Sequence, residues 1–236
     1  VNVLDFGISP IPVAHYVSKP LGTCAGIHIR KSPYNSQVID IKFFDENGLN
    51  LSSSRERSIE SLFFREDFRR AQMEETGEIS FPSRAMELYR DGFLKFVNIK
   101  EIQNAKFKIV VDYAYGPAAT IFPSLLGKFS CEVVALNSHM DASKLTKTAD
   151  EFDHSLKQLS NIVGTLKADA GFLMDAGGEK IFMVDELGNV ISGDNALGLI
   201  VSLVLSSNPY STIAVPVTAS RNIDEIAKKN GSIVLR

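Results

Sequence analysis

The strongest constraint on the fold is a repeated alternation along the chain. Short apolar runs that favour β-strands alternate with segments whose apolar residues recur at helical spacing. In one such unit, an apolar run at 108–112 is followed by a helical segment at 118–126 and a further apolar run at 131–136. Repeated strand–helix–strand units are typical of α/β folds with largely parallel sheets. We therefore expect an α/β protein.

Composition sets further bounds. The 236 residues, 44% of them apolar, are enough for one large or two smaller domains with a buried core. The strongest apolar run, Ala196–Leu205, reaches only half the length of a membrane-spanning helix, so no membrane contact is expected. The formal net charge is −3 and there is no block of like charges, which argues against nucleic acid as a partner.

The two cysteines and the first residue suggest a cellular setting. Cys24 and Cys131 lie far apart in sequence, and neither belongs to a C-x-x-C pair. We expect both to be reduced and buried, in a cytoplasmic protein. The chain begins with Val1 instead of Met and has no signal-peptide pattern, so we expect either that its natural start is missing or that it is an excised piece of a longer protein.

The pattern also predicts domain boundaries. A helix beginning near Pro82 would direct Phe93 and Phe96 inward. The segment Glu101–Lys106 is polar and has weak helical character, so we place a boundary near residue 104. The predicted domains are 1–104, 105–208 and a truncated third domain at 209–236, where a new strand–helix–strand pattern starts.

Several common cofactor motifs are absent. The strand at 108–112 is followed by a single glycine, Gly116, and not by G-x-G-x-x-G, which disfavours nicotinamide and flavin cofactors. Gly127 and Lys128 are followed by Phe129, which does not fit a phosphate-binding P-loop. The four histidines are scattered, so they predict no metal site.

One loop has an unusual density of small and acidic residues. Asp175-Ala-Gly-Gly-Glu179-Lys180 follows a predicted strand at 170–175. Ligands of open α/β sheets bind at the carboxyl ends of strands, where Asp175 and Glu179 would face a cation or a phosphate. A tight turn with solvated charges is the alternative interpretation, and the loop by itself leaves both open.

The order of motifs around this loop resembles the α-D-phosphohexomutase family of phosphomannomutases and phosphoglucomutases. The family has a metal loop D-G-D-x-D-R, then V-D-E-x-G, then S-G-D; here the matching stretches are 175–180, 184–188 and 192–194. The family's phosphoserine loop, G-G-I-x-I-T-A-S-H-N-P, is matched from Ala25 by A-G-I-H-I-R-K-S-P-Y-N. Ser32 falls on the phosphorylated serine, and Lys42 falls on a lysine ten residues later.

This resemblance implies a fold, a reaction and roles for individual residues. The fold would consist of three-layer α/β/α domains with mixed, largely parallel sheets. The reaction would be phosphoryl transfer between the serine and a sugar phosphate, with Mg²⁺ held by Asp175, Glu179 and Ser32. Lys42 would act in acid–base chemistry, and Lys180, in place of the family's arginine, would contact the substrate.

The match departs from the family in both loops. The second carboxylate of the metal loop is Gly177, and the Thr-Ala pair before the serine is Arg30-Lys31. Losing one ligand charge predicts that Mg²⁺ binding is weak or lost. A loop hydroxyl that is never phosphorylated is the alternative role for Ser32.

These departures most resemble the mutase-like region that follows the nucleotidyltransferase domain in some bacterial mannose-1-phosphate guanylyltransferases. The first hypothesis is thus a non-catalytic module of such an enzyme, serving as a scaffold, an oligomerisation surface or a sugar-phosphate-responsive region. The second is an active Mg²⁺-dependent phosphohexomutase. A third, resting only on fold analogy, is a binding domain for an unrelated small anion.

Overall fold

The structure, a computed structural model, describes residues 1–236 and alternates strands with helices along the whole chain. The strands are β1 (Val3–Leu4), β2 (Ala25–Lys31), β3 (Ile39–Asp45), β4 (Ile79–Ser80), β5 (Lys108–Asp112), β6 (Glu132–Leu136), β7 (Ala170–Met174), β8 (Ile181–Val184), β9 (Val190–Ile191), β10 (Thr212–Ala214) and β11 (Ile233–Leu235). The α-helices are α1 (Ile11–Ser18), α2 (Ser53–Phe64), α3 (Ala85–Leu94), α4 (Ile99–Ala105), α5 (Phe122–Leu126), α6 (Ala149–Leu166), α7 (Gly193–Ser207) and α8 (Asn222–Lys229). Short 3-10 helices occupy Met73–Glu75, Pro117–Thr120 and Gly127–Phe129.

The largest sheet has five strands in the order β6-β5-β7-β8-β9. Strand β5 pairs in parallel with β6 and β7, whereas β7, β8 and β9 pair antiparallel. Helix α6 covers one face, and the segment from the 3-10 helix at Pro117–Thr120 through α5 covers the other. The predicted three-layer α/β/α architecture with mixed sheets is therefore confirmed.

Helix α6 is fixed to the sheet by its sequence pattern. Thr148 and Glu151 form a reciprocal capping box that satisfies backbone donors at its first turn. Leu159 and Val163 recur at i, i+4 and are fully buried in the cluster that joins α6 to the sheet. On β7 they lie against Gly171, where an added Cβ would approach Val163 Cγ2 to 2.6 Å. The helix therefore packs unusually close to the strand.

The N-terminal part contributes a β-hairpin to the site. Strands β2 and β3 pair antiparallel, with Arg30 opposite Asp40 and His28 opposite Lys42. Because side chains alternate between the two faces of a strand, these four polar residues lie on one face. The isoleucines at 27, 29, 39 and 41 lie on the other face and are exposed. The hairpin therefore presents its polar face, and not its apolar face, to the rest of the molecule.

Helices α1, α3 and α5 form a second core, and the C-terminal elements form another. Val13 and Val17 of α1 pack with Ala85 of α3 and Leu125 of α5. At the other end, α7 packs on α8 beside the parallel pair β10 and β11. The boundaries predicted at 104/105 and 208/209 stay predictions.

Three local expectations are wrong. Residues 101–105 belong to α4, because the Asn98 side chain accepts a hydrogen bond from the Glu101 amide and caps the helix. Phe96 is 87% exposed because α3 ends at Leu94 and the helical spacing stops there. Cys24 is exposed, since it precedes β2 in a surface turn. Among the helices, none has both the length and the apolar character to cross a bilayer, as expected.

Candidate functional site

Residues 175–180, which we call the carboxylate loop, connect β7 to β8 at the end of the parallel strands. The Asp175 amide donates to the Lys180 carbonyl at 3.0 Å, so the ladder between the two strands continues into the loop. The Asp175 carboxylate accepts the amides of Glu179 and Lys180 at 2.7 and 2.9 Å. One oxygen of Asp175 is therefore used to shape the loop from inside, because it satisfies amides that no strand partner reaches.

Two cations from the hairpin reach this loop. Lys42 Nζ lies 2.9 and 2.6 Å from the two carboxylate oxygens of Glu179. Arg30 Nη1 lies 3.3 Å from Glu179 Oε2 and 3.8 Å from Asp175 Oδ2, while its Nε donates to Asp40 at 3.4 Å. We call these five residues the ion cluster. It joins the hairpin to the largest sheet through charge-assisted contacts.

The cluster is largely shielded from solvent. The Arg30 side chain is 15% exposed and that of Glu179 is 21% exposed. Partial burial raises the pKa of Glu179, but hydrogen bonding from Lys42 and the charges of Lys42 and Arg30 outweigh it, so this pKa lies below its usual value. Glu179 is therefore held as a carboxylate.

Two histidines lie beside the cluster. Burial is the largest factor lowering the pKa of His15 and also that of His28 below 6.5. His28 Nε2 lies 3.2 Å from the Ser9 carbonyl, while His15 packs on Phe44 with 4.6 Å between ring centroids. The lowered pKa values favour neutral imidazoles next to the two cations.

Gly177 leaves room for the arginine. A Cβ built at position 177 would collide with Arg30 Nη1 and would approach Ile11 Cδ1 to 3.0 Å. The guanidinium therefore fills the space that a side chain at 177 would need. The first turn of α1 supports the loop from below, where the Ile11 amide donates to the Gly177 carbonyl at 3.1 Å.

Ser32 lies two residues beyond Arg30, at the end of β2. It is only 6% exposed, and its Oγ accepts the Tyr34 amide at 3.4 Å. Its carbonyl accepts the hydroxyl of Thr146 at 2.6 Å, and the Lys147 amide donates to the Pro33 carbonyl at 3.2 Å. The segment after β6 thus lies against the serine loop at Thr146 and Lys147 and ties it to the central sheet.

Comparison with known proteins identifies this arrangement. The model of phosphoglucomutase/phosphomannomutase α/β/α domain I matches residues 1–70, and that of domain II matches residues 87–188. The two models follow in order and together cover more than two thirds of the chain. The chain belongs to the phosphohexomutase family.

Relatives and solved structures agree with this membership. A phosphoglucomutase/phosphomannomutase of Thermococcus kodakarensis is 31% identical over 235 residues, which is 100% of this chain and 51% of the relative. A phosphoglucosamine/phosphogalactosamine mutase of Sulfurisphaera tokodaii is 29% identical over 236 residues, 97% of this chain and 51% of the relative. A family protein from Burkholderia thailandensis, 20% identical, has the same fold with a TM-score of 0.79 over 100% of this chain and 51% of that one. The chain therefore spans about half the length of these relatives.

The metal implied by the phosphohexomutase family can be tested against the side chains present. Magnesium requires hard oxygen donors with near-octahedral geometry. In the carboxylate loop Asp175 and Glu179 supply the only two carboxylates, and no group of three acidic, histidine or cysteine side chains in the structure is arranged to hold a metal ion. Both oxygens of Glu179 already contact Lys42, and Arg30 lies beside both carboxylates. These residues do not fit a magnesium ion.

The structure brings together only part of the predicted site. Lys42 and Glu179 are in direct contact, and Asp175 lies beside them across Arg30. The hydrogen bonds of Ser32 go to Val38, Tyr34 and Thr146, and none goes to a carboxylate. Lys180 is exposed and its side chain forms no ion pair, so its role in substrate contact stays a prediction.

The motif match assigns no role to three residues that lie in or around the site. Arg30 departs from the family pattern at a position two residues before Ser32. Asp40 could have been paired with Arg30 from the antiparallel register of β2 and β3. Thr146 contacts Ser32 across 114 positions of sequence, and no local pattern signals such a contact.

Proposed function

We propose that the chain is a phosphohexomutase-family module that does not carry out mutase chemistry by itself. It would serve as a scaffold, an oligomerisation surface or a sugar-phosphate-responsive region of a sugar-nucleotide enzyme of the mannose-1-phosphate guanylyltransferase type. In this proposal the natural protein carries a nucleotidyltransferase domain in the same chain and acts in the cytoplasm.

The observation that carries this proposal is the burial of Ser32. A serine that exchanges a phosphoryl group must present its hydroxyl to the substrate, with room for in-line attack. Here the residue is 6% exposed, and the segment that covers it is held by the hydrogen bonds of Thr146 and Lys147. Phosphorylation would require this cover to open and would place about two negative charges beneath it.

A cavity beside the ion cluster supports the sugar-phosphate-responsive version. It has a volume of about 480 Å³, and Glu179 lies at its edge. Its lining includes Asn47, Asn50, Tyr16 and Tyr89, which are residue types whose amide and hydroxyl groups can hydrogen-bond to a sugar.

The test is transfer of a phosphoryl group to the full chain from a hexose 1,6-bisphosphate, followed by intact-mass spectrometry. We expect no mass increase for the wild-type chain or for the Ser32→Ala and Ser36→Ala variants. Ser36 lies in the same loop and is exposed, so it is the matched control. A stoichiometric phosphoryl adduct that disappears only in Ser32→Ala would overturn the proposal.

An active Mg²⁺-dependent mutase is the second candidate, because the relatives carry mutase names and the chain keeps both Ser32 and Lys42 in the family's frame. In that case magnesium and a hexose phosphate would be its cofactor and substrate. The phosphoryl adduct described above is its expected signature, together with hexose-phosphate isomerisation that the Ser32→Ala variant lacks.

The guanylyltransferase link has its own test. In the natural full-length protein, formation of GDP-mannose from GTP and mannose 1-phosphate should persist when residues 1–236 are deleted, whereas the assembly should become smaller. An unchanged number of chains per assembly in sedimentation would refute an oligomerisation role. Calorimetric titration of the full chain with mannose 1-phosphate and with inorganic phosphate separates a sugar-phosphate-responsive region from a site for any small anion.

A further inference from the structure

We propose that the Arg30 guanidinium is a resident cation of the carboxylate loop: it neutralises Asp175 and Glu179 together with Lys42 and closes the loop to divalent metal ions. The inference concerns the loop and not the serine. It therefore holds or fails independently of whether Ser32 accepts a phosphoryl group.

The Arg30 guanidinium lies beside both carboxylates of the loop. Arg30 Nη1 lies 3.3 Å from one oxygen of Glu179 and 3.8 Å from one oxygen of Asp175. A divalent ion shared by these two carboxylates would have to lie between the same two oxygens, at about 2.1 Å from each for Mg²⁺. The guanidinium nitrogen already occupies the neighbourhood of that point, so arginine and metal compete for one space.

The positive charges of the hairpin also oppose the binding of a metal cation. Arg30 and Lys42 bring two positive charges to Asp175 and Glu179, so the two carboxylates that a metal would share are already compensated by cations of the hairpin. Asp40 fixes the other end of the guanidinium at 3.4 Å and prevents it from swinging away freely. A divalent ion bound to these carboxylates would lie close to this fixed positive charge, and the repulsion between the two would weaken its binding.

The side chains at positions 30 and 177, which lie far apart in the chain, are complementary in size. Gly177 is buried, and a Cβ there would collide with Arg30 Nη1. The backbone of Gly177 does not have a positive φ, so the glycine is not needed for the path of the loop. The absence of a side chain at 177 is instead explained by the guanidinium that fills its space.

The experiment measures Mn²⁺ binding to the full chain by electron paramagnetic resonance, without any substrate. Wild type should leave Mn²⁺ free at millimolar concentration. The double variant Arg30→Thr/Gly177→Asp removes the resident cation and restores a third carboxylate, and it should bind one Mn²⁺ per chain. The gain in affinity should be roughly a hundredfold or more over wild type, because the double variant removes a repelling cation and adds a ligand charge.

The matched control is Lys31→Thr. Lys31 is the neighbour of Arg30 on β2, but its Nζ reaches the Ala142 carbonyl on the other side of the strand. It removes one positive charge of the same hairpin without opening the loop, so its Mn²⁺ binding should equal that of wild type. A gain in Lys31→Thr as large as that in the double variant would refute a specific role for Arg30.

Two further outcomes would overturn the proposal. One is stoichiometric Mn²⁺ binding by the wild-type chain that Asp175→Asn abolishes, which can be measured even if the double variant does not fold. The other is a double variant with native circular dichroism that takes up no more Mn²⁺ than wild type. As a second readout, added MgCl₂ should raise the melting temperature of the double variant and leave that of wild type unchanged.

Discussion

Replacing Glu179 by glutamine tests how much the ion cluster stabilises the fold. The amide keeps the shape of the side chain but removes the charge that Lys42 contacts at 2.6 Å and Arg30 at 3.3 Å. Fully exposed ion pairs contribute at most about 1 kcal/mol, whereas breaking a buried pair costs about 3–5 kcal/mol. With Lys42 29% and Glu179 21% exposed, this pair lies between the two limits.

We therefore expect Glu179→Gln to lower the free energy of unfolding by about 1–2 kcal/mol, because water can partly resolvate the freed ammonium. For a chain of this size the melting temperature should fall by roughly 2–8 °C. Urea denaturation at neutral pH followed by circular dichroism gives the free energy. A double-mutant cycle with Lys42→Met should return a coupling of about 1 kcal/mol.

The matched control is Glu186→Gln, in the exposed turn between β8 and β9, where the carboxylate forms no ion pair. Its unfolding curve should overlie that of wild type. A stabilising role of the ion cluster is refuted if Glu179→Gln changes the free energy of unfolding by less than about 0.3 kcal/mol, or if the coupling energy with Lys42 is zero within the usual error of additivity.

Three other predictions concern the core and the pH response. Leu159→Ala should lower the free energy of unfolding by about 2–5 kcal/mol, because it opens a cavity under α6. Leu199 is exposed, so Leu199→Ala should lower it far less in the same urea titration. Equal losses in the two variants would contradict the assigned core. Gly171→Ala should lower the free energy of unfolding by about 1–3 kcal/mol through overpacking against α6. Gly127→Ala should leave it unchanged, because the added Cβ meets no atom within 4 Å. Thermal denaturation of both variants measures the difference. The pKa of His28 is lowered mainly by burial, so the contribution of His28 to the free energy of unfolding should be complete above pH 6.5 and decline as the pH falls toward the folded-state pKa. His28→Gln should flatten the dependence of the free energy of unfolding on pH. An unchanged dependence would exclude His28 as its source.

The fold was predictable because its signals are local. The spacing of Leu159 and Val163 is typical of a helix, which the structure places at α6, and the apolar run at 108–112 predicts the central strand. The helix α4 was missed because it depends on one cap at Asn98 and on the packing of a polar segment, which propensity alone does not reveal.

The site was predictable only as a set of positions. Motif spacing placed Asp175, Glu179 and Lys42 in one frame, and the structure puts Lys42 on Glu179. The engagement of Arg30 with the loop depends on a contact between residues 149 positions apart, and it is decided by how the hairpin faces the sheet. Arg30, which departs from the family pattern in sequence, contacts the carboxylates of both Asp175 and Glu179 in the structure.

The covering segment over Ser32 is held through main-chain atoms of the serine loop. The carbonyls of Ser32 and Pro33 accept the bonds from Thr146 and Lys147, and the hydroxyl at 32 takes no part in either. Both bonds would therefore survive the loss of the hydroxyl group, so a small residue such as alanine at position 32 would leave the backbone of this loop on the same path.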